Sequence, residues 1–402
     1  MSNIFTRAVA QIVAPQKRSA GSSTGWTSFF PFKLTEAGKS VNTNSALTIS
    51  AFYCAVNTIA NSIALLPMSV YKKDGKTRMH SADHAADYLL YREPNSYMTA
   101  FTFKFIMAVA VLMRGNAYAL IVRDNSGNIS AYQYLDPDQV SVVDYQGQLY
   151  YKFKGQTFSA SEIIHIPGFS TDGICGKSII EHAADNLGVS LTAQKFGSDS
   201  LTDRGISQGV LESELTVKVE KKKEISAAFS SAMSSGQKHR APLLDEGMKY
   251  KPITLSPKDA QFIETYANGI ADIARWFSMP LHKLHVSGEG GYNYLVQMSI
   301  EYLQTAVMPL GEKFKQEFER KSFTPSERKI GVYIHINYSK LLQADPKSRA
   351  QFYKDQYYLG AISANEIREL EDRNPRDGGD DFVQMSNVLN EMQLKKQLQD
   401  EN

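Results

Sequence analysis

The segment GICGKS, residues 173–178, carries the residue types of a phosphate-binding loop. It follows a short apolar segment and precedes a helical pattern, and this is the context in which glycine amides and a lysine bind nucleotide phosphates. A loop of the form GxxxxGK[ST] needs its first glycine five residues before Gly176, and Thr171 stands there. Gly168 and Gly173 have the wrong offsets to replace it. The spacing favours a glycine turn at the start of a helix, with a packaging NTPase that uses Gly176, Lys177 and Ser178 as the alternative.

The eight histidines offer little metal chemistry. His80 and His84 are four residues apart, and His282 and His285 flank a glycine-rich segment, but neither pair has cysteine or carboxylate partners at ligand spacing. A zinc site needs three or four converging ligands. The HExxH, GxSxG and paired-carboxylate patterns are also missing from the sequence. The sequence therefore predicts no catalytic residues, no metal site and no cofactor.

Composition sets the class of protein. The 402 residues include 44 Lys plus Arg and 42 Asp plus Glu, for a net charge of +2, which excludes a protein that coats nucleic acid with positive charge. Hydrophobic residues make up 43%, which is typical of globular chains, and the length suggests two or three domains. Cys54 and Cys175 show no pairing pattern and fit a reducing compartment. The longest apolar run, 105–113, is about half of a membrane span, so we expect no membrane anchor.

The first half of the sequence alternates helical and strand patterns. Apolar residues at helical spacing predict a helix that Pro67 ends: Phe52, Val56, Ile59, Ile63 and Leu66. A strand is expected at 68–73, and helices are expected after Asp83 and after Thr99, which should cap its helix. Residues 116–166 change to two hairpins and a closing strand at 163–166. This segment is therefore predicted to be rich in β-structure.

The second half contains two long helices on either side of a compact insert. Helices are predicted at 177–204 and 257–280, each roughly 35 to 40 Å long at about 1.5 Å per residue, and the insert at 205–256 has a mixed α/β pattern. A helix at 295–321 should be kinked by Pro309, whose ring clashes with the Thr305 carbonyl. A strand at 332–338 follows. The tail from 345 is predicted to be helical, with a capping box of Ser363 and Glu366 and a break at 374–381 before a last polar helix.

The helix 257–280 is apolar over most of its circumference. Two neighbouring apolar stripes run along it: Ile263, Ala267, Ile270, Ala274 and Phe277, and beside them Phe262, Tyr266, Ile273 and Trp276. A narrow polar row remains: Gln261, Glu264, Asn268, Asp272 and Arg275. Such a helix must be covered on more than one side. Either it is buried in a monomeric bundle, or copies of it flank one another while the polar row faces a water-filled lumen.

Ordered stretches of the sequence resemble the portal proteins of tailed bacteriophages, in the branch that accompanies capsids of the Hong Kong phage type. The stretches are PNSYMT (94–99), RGNAYALIVRD (114–124), the turn at 172–178, GISQGVL (205–211), SPKDAQFIE (256–264), IARWFSMPLHKLH (273–285) and GAISANEIRELEDRNPRDGGDD (360–381). They cover about 46–390 in the order of the family. Family members usually have Gly-Val-Pro where this chain has Ser278-Met279-Pro280, and the first motif of the N-terminal arm is indistinct.

The resemblance implies an α+β portal fold and a division of the chain into named parts. A flexible N-terminal arm would occupy 1–45, a β-rich wing 46–176 and 294–344, and the stem the two helices 177–204 and 257–281. The insert 205–256 would be the clip, 282–293 the tunnel loop, and 345–402 a helical crown. The kinked helix at 295–321 would belong to the wing.

The resemblance also implies a function without catalysis. We expect a closed ring of about twelve copies at one vertex of the virion capsid, assembled in the host cytoplasm, that nucleates procapsid assembly and conducts DNA during packaging and ejection. Implied partners are other copies of the chain, double-stranded DNA bound without regard to sequence, terminase, the major capsid protein and then the head–tail connector or adaptor, but no membrane. A shorter adaptor protein is a weaker reading, because adaptors lack long paired helices.

Specific residues receive roles in this interpretation. The polar row of the helix 257–280 would face the DNA channel, and Ile263, Ile270 and Phe277 would contact neighbouring subunits. Lys221, Lys222 and Lys223 would serve docking at the clip, although a solvated charge run is an equally simple account of them. The tunnel loop would touch DNA phosphates through backbone amides and through Lys283, His282 or His285. Its other members are Ser287, Gly288, Glu289, Gly290 and Gly291, and Glu289 would limit adhesion.

Overall fold

The structure, a computed structural model, describes residues 33–34, 40–75, 77–204, 209–213, 221–225, 227, 248–252, 257–285, 291–342, 346–371 and 373–382. The chain divides into two compact units, Met1–Ile336 and Asn337–Asn402. The larger unit combines helices with small antiparallel sheets, so the predicted α+β class is confirmed. The predicted N-terminal arm lies largely outside the described residues.

Two buried helices form the centre of the larger unit. After the short strands β1 (Lys33–Leu34) and β2 (Ser40–Val41) come the helices α1 (Thr43–Leu47), α2 (Ser50–Leu65), α3 (Ala85–Tyr91) and α4 (Ala100–Arg114). The predicted apolar stripe of α2 is buried along its whole length, from Phe52 to Leu66, and α2 packs against α4. Thr99 caps α4, since its side chain accepts a hydrogen bond from the Thr102 amide. Both sequence predictions are confirmed.

The predicted hairpins form, but they belong to separate sheets. Strands β3 (Met68–Asp74) and β4 (Thr77–His80) are followed by β5 (Asn116–Arg123), β6 (Ile129–Leu135), β7 (Val140–Tyr145), β8 (Gln148–Phe153), β9 (Gln156–Ser159) and β10 (Ile163–Pro167). The orders are β10-β5-β6 and β7-β8-β9, all antiparallel. Tyr118, Leu135, Tyr151 and Ile163 form a shared apolar cluster that joins the two sheets.

The first long helix begins later than predicted and is interrupted once. A short helix α5 (Ile179–His182) is capped by Ser178 and ends at Ala183, and α6 (Ala184–Arg204) follows. The strands β11 (Gly209–Ser213) and β12 (Met248–Pro252) pair antiparallel across the insert. Residues 221–225 are helical, and most other residues of the insert lie outside the described residues.

The second long helix ends earlier than predicted. Helix α7 (Pro257–Trp276) stops four residues before Pro280, because Ser278 adopts a left-handed conformation with φ 51°. The Met279 amide donates to the Ala274 carbonyl at 3.0 Å and the Ser278 amide to the Arg275 carbonyl at 3.1 Å. These two bonds are the pattern of a Schellman motif. A left-handed residue therefore ends the helix before the proline is reached.

Replacing Ser278 with glycine is expected to stabilise the fold by about 0.5–1 kcal/mol, because glycine adopts positive φ without the steric cost that Cβ brings. Urea unfolding of wild type and Ser278→Gly measures the difference. Ser278→Val serves as the opposite control and should be destabilised, and a loss of stability in Ser278→Gly would contradict the assignment of the helix end.

A π-helical turn lies where the sequence predicts a kink. A short 3-10 helix at Leu281–Leu284 leads to α8 (Tyr292–Tyr302), the π turn Leu303–Val307 and α9 (Met308–Ser322). Pro309 lies in the first turn of α9, where its missing N–H is tolerated. The Thr305 hydroxyl lies 2.9 Å from the Ser278 carbonyl and 2.8 Å from the Glu301 carbonyl. A widened turn therefore lies directly before Pro309, and the kink itself stays a prediction.

The remaining elements complete both units. Helix α10 (Pro325–Lys329) and strand β13 (Val332–Ile336) follow, and β13 pairs with β3. The second unit contains α11 (Ser339–Leu342), α12 (Pro346–Tyr358) and α13 (Ala364–Leu370). The predicted capping box of Ser363 and Glu366 is present, and residues 373–382 are not helical. The predicted last polar helix lies outside the described residues.

Candidate functional site

The backbone amides of the GICGKS loop already have partners within the chain. The Ile174 and Cys175 amides donate to Asp172 Oδ1 at 2.8 and 3.0 Å. The Gly176 amide donates to Asn116 Oδ1 at 2.7 Å, and the Lys177 amide to the Phe169 carbonyl at 2.7 Å. A phosphate-binding loop directs such amides at its ligand. Here they face protein oxygens, so this loop does not present the amide cradle that a phosphate needs.

Three glycines let the loop cross the end of α4 at very short distance. A Cβ on Gly176 would lie 1.9 Å from the Gly115 carbonyl oxygen, and a Cβ on Gly115 would lie 2.4 Å from the Lys177 carbonyl oxygen. The Gly168 amide donates to that same Gly115 oxygen at 2.7 Å. Glycine is required where two backbones approach so closely. Packing thus explains Gly115, Gly168 and Gly176, whereas Gly173 has a left-handed conformation with φ 74°.

Lys177 lies just outside the helix. Its side chain is exposed, and the next residue, Ser178, is the N-cap of α5. The Ser178 hydroxyl donates to the Met113 carbonyl at 2.7 Å, which ties the cap to the end of α4. The interpretation of Lys177 as a residue at the start of a helix agrees with this geometry.

A buried polar cluster supports the same crossing from the sheet side. His165 is 6% exposed, and its Nε2 lies 3.0 Å from Asn116 Oδ1 while its Nδ1 lies 3.1 Å from the Tyr151 hydroxyl. Its backbone amide donates to Glu317 on α9 at 3.2 Å. Burial lowers the pKa of His165 to about 3, so the imidazole is neutral at ordinary pH. The cluster links β5, β8, β10 and α9 to the loop through Asn116.

The two long helices approach closely at one point. A Cβ on Gly269 of α7 would lie 2.7 Å from the Ser190 Oγ of α6, and Ser190 is 5% exposed. One turn along, Asn186 Nδ2 donates to Asp272 Oδ2 at 2.7 Å. The antiparallel pair that the sequence predicted therefore forms, with small residues at the crossing.

The polar row of α7 is placed on the exposed side where it is described. Asn268 and Arg275 are exposed and Asp272 is half-buried. Arg275 forms an ion pair with Asp272. The side chains of Gln261 and Glu264 lie outside the described residues. A channel-facing role for the row stays a prediction.

The residues predicted to contact neighbouring subunits differ in how deeply they are buried within the chain. Phe277 is 5% exposed and its ring packs edge-on against Phe52 at 5.3 Å. Most of its surface is thus used inside the chain, and little is left for the predicted contact with a neighbour. Ile270 is half-buried, and the side chain of Ile263 lies outside the described residues. For all three residues the contact with a neighbouring subunit stays a prediction.

The start of the predicted tunnel loop is packed against the protein. The Lys283 ammonium lies 5.3 Å from the centre of the Tyr302 ring, and its carbonyl oxygen lies 3.5 Å from Cys54 Sγ. Burial lowers the pKa of both His282 and Lys283. His285 is exposed and has φ 58°, and Gly291 is the exposed N-cap of α8. The members Ser287, Gly288, Glu289 and Gly290 lie outside the described residues, and DNA contact by the loop stays a prediction.

The lysines of the insert lie on a helical stretch. Lys221, Lys222 and Lys223 are exposed, and their docking role is untested. Within the described ranges, His, Cys, Asp and Glu residues form no group of three or more that could hold a metal ion. In the same part of the chain, helices lack the length and apolar character needed to cross a membrane.

Sequence reasoning missed the residues that hold the elements together. Asn116, Asn186 and Thr305 bridge segments far apart in the sequence. One signal was available for Asn186, because it lies among small residues, of which Ser190 faces Gly269 on the partner helix. These small residues are Ala183, Ala184, Gly188, Ser190 and Ala193. Asn116 directly follows Arg114 and Gly115, but sequence spacing does not predict that its side chain bonds to Gly176.

The fold is similar to solved structures of a phage portal protein and of chains from gene transfer agent particles. A Hong Kong-type (HK97) family phage portal protein from Corynebacterium diphtheriae superposes with a TM-score of 0.56 at 15% identity, covering 76% of this chain and 98% of the other. A chain from the neck of a native gene transfer agent particle, computed with C12 symmetry, gives a TM-score of 0.56 at 19% identity over 83% of this chain and 92% of the other.

The family model described as phage portal protein matches residues 50–372, and the chain belongs to this family. The portal protein of Enterobacteria phage HK97 is 26% identical over 380 residues, which are 92% of this chain and 88% of the other. The probable portal protein of Streptomyces phage phiC31 is 27% identical over 363 residues, 85% of this chain and 78% of the other. The resemblance seen in the sequence is confirmed.

Proposed function

We propose that the chain forms a closed ring of about twelve copies that surrounds a channel for double-stranded DNA at one vertex of a phage capsid. The observation that carries this proposal is the family match over 50–372. Two similar chains come from gene transfer agent necks computed with C12 and C6 symmetry, and this supports a ring. The ring would be assembled in the host cytoplasm and would sit in the neck of the virion.

The long helix pair supports a channel lined by α7. Helix α6 covers one side of α7, while Asn268 and Arg275 remain exposed on the polar row. A row with both signs of charge suits DNA that must slide, because each fixed cationic contact to phosphate adds affinity and salt dependence. Contact through phosphates would make the channel indifferent to base sequence.

We assign the remaining parts as the family resemblance suggests. The wing, stem, clip and crown would follow the boundaries given above. Because Lys283 and Leu284 pack against the protein while His285 is exposed, the part of the tunnel loop that reaches DNA would be 285–291. The clip with Lys221, Lys222 and Lys223 would dock terminase during packaging and the head–tail connector afterwards, and the major capsid protein would surround the wing.

Native mass spectrometry and electron-microscopy class averages of the purified protein test the ring. We expect closed rings of about twelve subunits at micromolar concentration. Ile270→Glu, which places a charge on the half-buried face of α7, should shift the population toward monomers while the circular dichroism spectrum stays that of wild type. A wild-type protein that is only monomeric or dimeric under these conditions would contradict the proposal.

Phage portal proteins are structural, and we propose that this chain has no catalytic activity of its own. Lys177→Ala should leave the free energy of unfolding within about 0.5 kcal/mol of wild type, as expected for an exposed residue. Ser178→Ala is the matched neighbour and should cost about 1 kcal/mol, since it removes a helix cap. Urea unfolding and ATP binding by calorimetry check both. Stoichiometric ATP binding that disappears in Lys177→Ala would revive the NTPase alternative.

A further inference from the structure

Both carboxylate oxygens of Asp272 are engaged, each by a different partner. Oδ2 accepts the hydrogen bond from Asn186 Nδ2 of α6 at 2.7 Å. Oδ1 is bound by the guanidinium of Arg275, one turn further along α7. The Asp272 side chain is 35% exposed, whereas that of Arg275 is 76% exposed. A half-buried acid thus stands between a neighbouring helix and an exposed cation.

The close crossing of the helices makes this arrangement possible. Asn186 has a short side chain, and it reaches Asp272 because Gly269 and Ser190 let the two backbones approach one turn away. The Asn186 Oδ1 is itself buried without a hydrogen-bond partner in the described part of the chain. The bond to Asp272 is therefore the side-chain contact that the structure shows for this amide, and it fixes the carboxylate from outside its own helix.

We propose that Asn186 positions Asp272 and that Asp272 holds Arg275 in an ion pair. The paired Arg275 then binds the phosphates of a nucleic acid backbone less strongly than an unpaired arginine would. This inference rests on the proposed function, because it takes the polar row of α7 to face DNA. The partner is a polyanion of regularly spaced phosphates. Asp272 would act as a restraint on adhesion, and Asn186 as the positioning residue that holds it in place.

Loss of Asp272 would change DNA binding mainly through the uncompensated charge of Arg275, and only slightly through the energy of the Asp272–Arg275 ion pair. An exposed ion pair contributes only about 0–1 kcal/mol, so it adds little to folding. A ring, however, repeats the pair in every subunit, and loss of Asp272 would turn a neutral pair into one uncompensated arginine per subunit. Affinity for DNA falls as salt concentration rises. In a plot of the logarithm of affinity against the logarithm of salt concentration, each arginine that contacts a phosphate makes the downward slope steeper by about 0.9.

The first experiment measures how available Arg275 is. Full-length wild type, Asp272→Asn, Asn186→Ala and the double variant are treated with an arginine-selective dicarbonyl, and Arg275 modification is followed by peptide mass spectrometry. Both single variants should react about two- to fivefold faster, the range that corresponds to the energy of an exposed ion pair. The double variant should match Asp272→Asn, because Asn186 acts through Asp272. Rates equal to wild type in Asp272→Asn would overturn the inference whether or not rings form.

The second experiment measures DNA binding by rings. Fluorescence anisotropy of a short labelled duplex is recorded across ~50 to ~200 mM salt, where the electrostatic part of binding changes strongly. Asp272→Asn should bind more tightly with a steeper salt dependence, and adding Arg275→Gln should restore wild-type behaviour. Asp74→Asn, at the exposed end of β3, is the matched control for charge alone and should resemble wild type.

The outcomes separate this inference from the proposed function. Absence of rings in wild type would defeat the proposed function, while the dicarbonyl rates would still decide whether Asp272 restrains Arg275. Rings that form normally but bind DNA equally in wild type and Asp272→Asn would defeat the inference alone. An equal gain in Asp74→Asn would show a general charge effect and would also defeat it.

Discussion

Replacing Gly176 with alanine is expected to destabilise the protein by about 3 kcal/mol or more, because the new methyl group meets a backbone that cannot rotate away. Its Cβ would lie 1.9 Å from the Gly115 carbonyl oxygen. Moving the chain apart would break the paired hydrogen bonds between Gly176 and the Asn116 side chain, each 2.7 Å long. Urea unfolding followed by circular dichroism measures the loss, and failure to recover folded protein would agree with it.

Gly173→Ala is the matched control for this variant. Gly173 has φ 74°, but the position of a Cβ there is open, with no atom within 4 Å. Only the left-handed backbone penalty of about 1–2 kcal/mol should apply. If Gly176→Ala cost no more than Gly173→Ala, the close crossing of the loop and α4 would be wrong.

The stability of the wild type should rise with pH relative to that of Lys104→Met. Lys104 is 5% exposed and its ammonium donates to the Leu66 carbonyl at 2.6 Å. Burial lowers its pKa to about 8 from 10.5, so the folded protein releases this proton at lower pH than the unfolded chain does. Between those two values the unfolded chain binds more protons, and the free energy of unfolding increases as pH rises.

The difference in stability between wild type and Lys104→Met should therefore shift by about 2 kcal/mol in favour of wild type from about pH 7 to about pH 9.5. Urea unfolding at both pH values measures it, and other titrating groups cancel because the two proteins share them. For Lys72→Met, at an exposed position of β3, the difference in free energy of unfolding from wild type should be the same at both pH values. If the difference in free energy of unfolding between wild type and Lys104→Met were also the same at both pH values, the lowered pKa of Lys104 would be wrong.

Periodicity predicted the elements whose pattern is local. The stripe of α2, the cap at Thr99, the hairpins and the box at Ser363 all depend on residues within a few positions of one another, and all are present. Pro309 is also read locally, since proline acts on its own turn, and a π turn lies directly before it. The early end of α7 is not read locally, because a serine at φ 51° is set by tertiary structure and gives no sign in the sequence.

The candidate site was predicted in outline but not in its contacts. Spacing alone argued against a phosphate loop at 173–178, and the hydrogen bonds agree. Phe277 packs against Phe52, which comes from a helix more than two hundred residues earlier. Helical spacing cannot tell a neighbour in the same chain from one in another, so the predicted subunit contact of Phe277 stays a prediction. Asn116 and Asn186 were missed for the same reason.

The crossing at Gly176 also bears on the order in which the protein folds. The direction of α5 and α6 is set by Gly115 and Asn116, which lie about 60 residues earlier in the sequence, and Asn116 in turn opens strand β5, paired with β10. Closing such a loop carries an entropic cost that the short hairpins avoid. The hairpins β5–β6 and β7–β8 should consequently form first, and the long helix pair should acquire its orientation in a late step.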